Sequence, residues 1–172
     1  MNKALSEIYR ELGITEVHLK ACLLSLHSEP SLSDLKVAAI DFEGKPFVLE
    51  VNAEAAFQKM KAAALADQIT LMPYSGFRSI MYQKSLIAHH LKNGRVIDEI
   101  LTTIAIPGYS EHHTGHAIDF HEIGKNSLEE DFEKTESFEW LTKNAGRFHF
   151  KMSYPRDNQQ GIVYEPWHWF FS

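Results

Sequence analysis

Cysteine is nearly absent: Cys22 is the single thiol in 172 residues, so no intramolecular disulfide can hold the chain together. It lies in the apolar run "ACLLSL" and reads as a small buried side chain rather than a nucleophile. Positive charge is also scarce. Lys and Arg number 17 against 23 Asp and Glu, for a formal net charge of −6. That balance argues against general binding to nucleic acid or to anionic membrane surfaces, both of which favour basic faces. No stretch approaches the roughly 20 apolar residues that a membrane-crossing helix needs. The opening "MNKALSEIYRELGI" has neither a long apolar core nor a small-residue cleavage site, and so does not read as a signal peptide.

What the chain does have is ordinary globular material. Hydrophobic residues make up 44% and charged residues 23%, enough for one domain over 1–172 with a sizeable core. Leu5, Ile8 and Leu12 fall at helical spacing, and a second helical stretch is expected near Val17 to Leu26. "LKVAAIDFEGKPFVLEV" reads as a hairpin around Glu43, Gly44 and Lys45. Asn52 is placed to cap a helix through "AEAAFQKMKAAALADQ". "ITLMPYS" reads as a strand, followed by a helix from about Ser79 to Asn93 that stops at Gly94. "HAIDFHE" reads as another strand. Ser127 and Glu130 have the spacing of a capping box that opens a helix ending near Gly146. "RFHFKMSY" and "GIVYEPWHWFF" complete the strands. The pattern predicts an α+β fold, with a small, mainly antiparallel sheet and flanking helices.

The chemistry concentrates in "PGYSEHHTGHAIDF", where His112, His113, His116 and Asp119 fall within eight positions. Thr114 and Gly115 make a continuous helix through His112 and His116 unattractive, which weakens a helical His-x-x-x-His zinc pair. In a strand, Ala117, Asp119 and His121 would share one face, and His116, Ile118 and Phe120 the other. An aspartate on an otherwise apolar strand is costly to bury without a partner, and a metal would be one. Near the C-terminus, "YEPWHWFF" sets Glu165 and His168 three apart, with Pro166 favouring an extended or turn segment. Catalytic zinc commonly takes three protein ligands and leaves a fourth position for water. His112, Asp119 and His168 supply such a set, with Glu165 left as a base. Trp167, Trp169, Phe170 and Phe171 read as core and pocket wall.

"SEHHTGHAID" matches Ser-x-His-x-x-Gly-x-Ala-x-Asp, "EPWH" matches Glu-x-x-His, and "SGFRS" (75–79) matches a third segment. Together they resemble the VanY-type zinc D-alanyl-D-alanine carboxypeptidases of the LAS superfamily, peptidase family M15, over roughly Val51 to Phe171. Residues 1–50 form a helical and hairpin lead-in that adds nothing to the likeness. The resemblance implies Zn2+ on His112, Asp119 and His168, Glu165 as catalytic base and Arg78 at the oxyanion. Gln83 and Ser110 would bind the C-terminal D-alanine of a peptidoglycan-derived peptide. His113 and His116 occupy variable motif positions and are expected to be exposed or to lie just behind the ligands. His121 could touch Asp119. His18, His27, His89, His90 and His149 read as structural or surface residues.

The function so implied is removal of the terminal D-alanine from stem peptides. The alternatives are a D,D-carboxypeptidase or dipeptidase, a peptidoglycan endopeptidase, or a non-catalytic zinc-stabilised module like the related hedgehog domains. A free base at Glu165 argues against that module. With Met1 as the natural start the expected location is the cytoplasm; with a trimmed signal it is the periplasm or the cell-wall face. A cytoplasmic enzyme that cut D-Ala-D-Ala would attack the cell's own wall precursor. That consideration leans toward L,D-carboxypeptidase action on tetrapeptides.

Overall fold

In a computed structural model, residues 3–41, 43–124 and 126–172 are described. Helix α1, Lys3–Leu12, turns Leu5, Ile8, Tyr9 and Leu12 inward, the expected stripe. Helix α2 is shorter than its sequence suggests, Glu16–Ala21, and ends where Cys22 turns extended. Beyond it the chain runs irregularly, tied down by a hydrogen bond from the His27 N–H to the Gly108 carbonyl. Cys22 is half-buried rather than fully buried.

Strands β1, Leu35–Ile40, and β2, Pro46–Glu50, form the expected antiparallel hairpin as a sheet of their own. Phe42 of the expected hairpin run lies outside the described residues. Helix α3, Val51–Ala66, is capped by Glu50 and not by Asn52. The Glu50 carboxylate accepts from the Asn52 and Ala53 N–H groups, and an anion there also complements the helix dipole. Strand β3, Met72–Ser75, leads to helix α4, Ile80–Lys92, capped by Ser79 and stopped before Gly94 as expected. A short helix α5, Ile97–Ile100, follows.

Strand β4, Ala117–His121, is central in a four-stranded antiparallel sheet of order β3-β4-β6-β5, with β5 at Phe150–Met152 and β6 at His168–Phe171. Both C-terminal strands are shorter than their sequence runs. The final helix, α6, Glu136–Asn144, is capped by Thr135, not by a Ser127–Glu130 box. Ser127 instead spends its hydroxyl on His121 Nδ1 at 3.0 Å, and Leu128 takes a positive φ of 58° that a helix cannot contain. A 3-10 turn, Glu130–Lys134, occupies the gap.

Two apolar clusters carry the packing. One joins Phe47, Leu49, Phe57 and Met60 to Ile118, Phe120, Trp167 and Trp169 beneath the sheet. The other packs α1 on α4 through Leu5, Ile8, Tyr9 and Leu12 against Ile87, Ile100 and Ile106. Trp167 and Trp169 thus belong to the core, as their sequence suggests. Among the described residues no helix is long and apolar enough to cross a membrane.

Candidate metal centre

Strand register brings the C-terminal motif to the first one. Ser75 of β3, Asp119 of β4 and His168 of β6 are direct cross-strand partners. Side chains of directly opposed residues stand on the same face, a few ångströms apart. Ile118 and Phe120 alternate onto the other face and enter the core, so Asp119 is left looking into a cleft of about 550 Å³. His112 reaches the same spot from a 3-10 turn, Glu111–Thr114. Gly115 then swings the chain into β4 at φ 73°, where a Cβ would stand 2.8 Å from the Glu50 backbone nitrogen.

The result is a buried triad. Asp119 Oδ2 lies 3.1 Å from His112 Nε2, and Asp119 Oδ1 lies 2.9 Å from His168 Nδ1. One ligand atom from each residue lies within 4.8 Å of the others, a group that could hold a metal ion. The outer nitrogen of each ring is engaged. His112 Nδ1 donates to the Gly76 carbonyl at 2.7 Å, which leaves Nε2 as the nitrogen that could ligate a metal beside Asp119. His168 Nε2 lies 2.8 Å from Glu111 Oε2, which also accepts from the Ser153 hydroxyl at 2.6 Å. Imidazoles backed in this way by a carbonyl or a carboxylate are the usual environment of metal-ligating histidines. The N/O donor set, with one carboxylate, suits zinc.

Electrostatics follow from burial and pairing. Burial would raise the Asp119 pKa, but His112 and His168 outweigh it and hold the carboxyl well below its usual range. Burial alone would lower His168, yet its hydrogen bonds to Asp119 and Glu111 push it up to about 10. Burial wins at His112, which is lowered despite Asp119. Glu165 stands 3.9 Å from His168 Nδ1, and burial pushes its carboxyl up to about 7, against the pull of His168. Its position follows from the turn that Pro166 favours: the His168 N–H donates to the Glu165 carbonyl.

Arg78 projects into the cleft, 3.9 Å from Asp119 Oδ2, and donates to Ser75 Oγ at 3.2 Å and Gln83 Oε1 at 3.1 Å. Gln83 is buried on α4, and its amide nitrogen donates to the Ala105 carbonyl at 2.8 Å. Gln83 therefore anchors the guanidinium while it lines the cleft. Ser110 is buried and lines the cleft as well. All seven residues singled out in the sequence meet on this one cavity.

Other expectations need correction. His113 is neither exposed nor behind a ligand: it is fully buried and bonded to backbone at both ring nitrogens. His116 is half-buried beside Glu50, at 3.4 Å. The His121 Nδ1 turns to Ser127 rather than to Asp119. His90, read as a structural or surface residue, lines the cleft with Arg95. Two residues of the site went unnoticed. Glu111 lies inside the motif, and a carboxylate beside a ligand histidine is itself a signal. Tyr154, whose ring centroid lies 4.9 Å from that of His168, offers no such cue in "KMSY".

Residues 47–172 match the family model described as VanY, D-alanyl-D-alanine carboxypeptidase. A D-alanyl-D-alanine carboxypeptidase of Enterococcus faecalis (strain ATCC 700802 / V583) is 30% identical over 131 residues, covering 70% of this chain and 47% of the relative. The chain spans about half the length of the curated relatives it matches, 52% of one and 47% of another. Among solved structures, the LdcB LD-carboxypeptidase superposes with a TM-score of 0.74 at 28% identity, over 84% of this chain and 70% of that one. The D,D-pentapeptidase VanY from a VanB-type vancomycin-resistance cassette, a variant in complex with Zn(II), gives 0.62 at 26% identity, over 87% of both chains. The match covers most of the chain and takes in every residue of the triad and its surroundings: this chain belongs to the VanY family of D-alanyl-D-alanine carboxypeptidases.

Proposed function

We propose that the chain is a zinc-dependent carboxypeptidase that removes the terminal D-alanine from peptidoglycan stem peptides. The observation that carries this reading is the buried Glu165 beside the His112–Asp119–His168 triad, with a pKa near neutrality. A closed structural site has no use for such a carboxyl. Zinc on the triad would supply a Lewis acid for the scissile carbonyl and an acidified water.

The chain's own groups do the rest. Glu165 takes the proton of the attacking water, and a pKa of about 7 suits both that step and its reversal. The same carboxylic acid then protonates the departing D-alanine amine. Arg78, fixed by Ser75 and Gln83, offers a preorganised positive charge to the oxyanion that develops on the carbonyl. Ser110, and the Gln83 amide where it faces the cleft, hold the terminal D-alanine. No step needs a covalent intermediate.

Within this reading we favour L,D-carboxypeptidase action on tetrapeptides, an activity that spares the D-Ala-D-Ala wall precursor; among solved structures two LD-carboxypeptidases superpose at TM-scores of 0.74 and 0.59, on either side of the D,D-pentapeptidase at 0.62. The 30% identity to a D-alanyl-D-alanine carboxypeptidase favours the D,D alternative. Comparing kcat/KM for a tetrapeptide and a D-Ala-D-Ala-ended pentapeptide, with the Glu165→Ala variant as control, tests both levels. Preference for the tetrapeptide supports L,D action, and preference for the pentapeptide overturns it. Absence of D-alanine release from either, with zinc bound, overturns the carboxypeptidase reading itself.

A further inference from the structure

His113 follows a metal-triad residue in sequence, yet it points away from the triad. Its ring is fully buried and makes two hydrogen bonds, both to main chain. Nε2 accepts from the Gly108 N–H at 3.0 Å, and Nδ1 lies 2.6 Å from the Arg78 carbonyl oxygen. Because an amide N–H can only donate and a carbonyl can only accept, the tautomer is fixed: the proton is on Nδ1. One neutral ring therefore ties the Pro107–Gly108 turn, which precedes Ser110, to the backbone of Arg78. The Arg78 N–H in turn donates to the His112 carbonyl at 3.0 Å. Arg78 is held on both sides of its Cα by the turn that carries the metal-triad histidine.

The turn at Gly108 is itself braced by residues outside the family match. The Tyr9 hydroxyl donates to the Pro107 carbonyl at 2.9 Å, and the His27 N–H donates to the Gly108 carbonyl at 2.7 Å. Gly108 has a φ of 95°, and a Cβ there would stand 3.1 Å from Leu26 Cδ1. The segment before residue 47 thus closes over the outer side of the clamp.

We propose that His113 is a positioning residue for Arg78. It sets where the guanidinium stands by locking the Arg78 main chain to the Gly108 turn, and residues 9–27 brace that turn from outside. The proposal rests on the oxyanion role given to Arg78 above. It predicts a specific coupling: once Arg78 is gone, the clamp has nothing left to position.

The test compares zinc-loaded wild type, His113→Ala, His113→Gln, Arg78→Ala and the Arg78→Ala/His113→Ala double variant. Gln presents a donor and an acceptor on one planar amide and can remake both bonds. For D-alanine release, His113→Ala is expected to lose about 10- to 100-fold in kcat with little change in KM, the range in which small misplacements act. His113→Gln is expected to recover most of that loss, and the double variant to be no slower than Arg78→Ala. Zinc affinity, read by chelator competition, is expected to stay within about threefold in all five. A double variant that multiplies the two losses, or no recovery with Gln, overturns the proposal. A second readout needs no activity: phenylglyoxal modification of Arg78, followed by peptide mass spectrometry, is expected to run several-fold faster in His113→Ala and to slow again in His113→Gln. Equal rates in wild type and His113→Ala overturn the proposal even if the enzyme acts on another substrate. Absence of turnover in wild type, by contrast, counts against the proposed function alone.

Discussion

Binding of zinc to this chain should expel a proton from His168, and the size of the effect follows from the geometry. Both ring nitrogens face carboxylates, Asp119 at 2.9 Å and Glu111 at 2.8 Å, and the pKa is pushed up to about 10. At pH 7 the ring is therefore an imidazolium. A ligand nitrogen must be deprotonated, so Nδ1 gives up its proton while Nε2–H keeps its bond to Glu111. Removing that proton three pH units below its pKa costs about 4 kcal/mol, or about three decades of affinity, relative to a site already neutral. The apparent zinc affinity should then rise by about tenfold per pH unit between pH 6 and 8, with about one proton released per zinc. Calorimetric titration in two buffers of different ionisation enthalpy measures the proton count, and chelator competition measures the slope. The same pairing acts on stability. A folded pKa above the unfolded value stabilises the metal-free fold fully below about pH 6.5, and the contribution is lost as pH rises through about 10. A flat affinity profile with no buffer-dependent heat would refute the charged state assigned to His168, and with it the argument from its two carboxylates.

Glu165→Gln should bind zinc close to normally and lose most activity, since the carboxyl acts on water and not on the metal; near wild-type turnover would remove Glu165 as base. Glu111→Gln keeps an acceptor for His168 Nε2 but loses its charge; the weaker support behind a zinc-bound ring outweighs the easier deprotonation, so zinc affinity at pH 7 should fall about 10-fold, and Glu111→Ala should fall nearer 100-fold. Equal affinity in all three proteins, measured against a chelator, would show that Glu111 is not needed behind the ring. Phe57, fully buried between Phe47 and Phe120, should cost about 3–5 kcal/mol when cut to Ala, read by denaturant unfolding of the metal-free protein. A loss below about 1 kcal/mol would mean that the site collapses around the cavity.

Much of the fold and the triad was legible because it rests on short-period patterns. The stripe on α1, the turn formers of the β1–β2 hairpin and the Ser79-to-Gly94 limits of α4 are local signals, and the chain follows them. Where the expectation failed, another group close in the chain took the bond that the spacing offered. Ser127 has the spacing to cap a helix, but its hydroxyl goes to His121, and the helix is capped eight residues later by Thr135. Asn52 can cap, but the Glu50 carboxylate takes the Asn52 and Ala53 N–H groups, caps the helix two residues earlier and gains from the helix dipole. Neither competition can be weighed from spacing alone.

His112 and His113 make the limit sharper, because they are the same residue type at adjacent positions and do different work. In a strand they would lie on opposite faces, and in an α-helix about 100° apart. They stand instead in a 3-10 turn, where successive side chains diverge by about 120°. One ring is thereby aimed at Asp119 and the other between Gly108 and Arg78. The resemblance says which histidine can be a ligand, since His112 and not His113 falls on the histidine of Ser-x-His-x-x-Gly-x-Ala-x-Asp. Nothing in the spacing says that the second is buried, because both of its bonds run to main-chain atoms, which every residue carries and no sequence pattern marks. A histidine that binds backbone is legible only once the turn that encloses it is known.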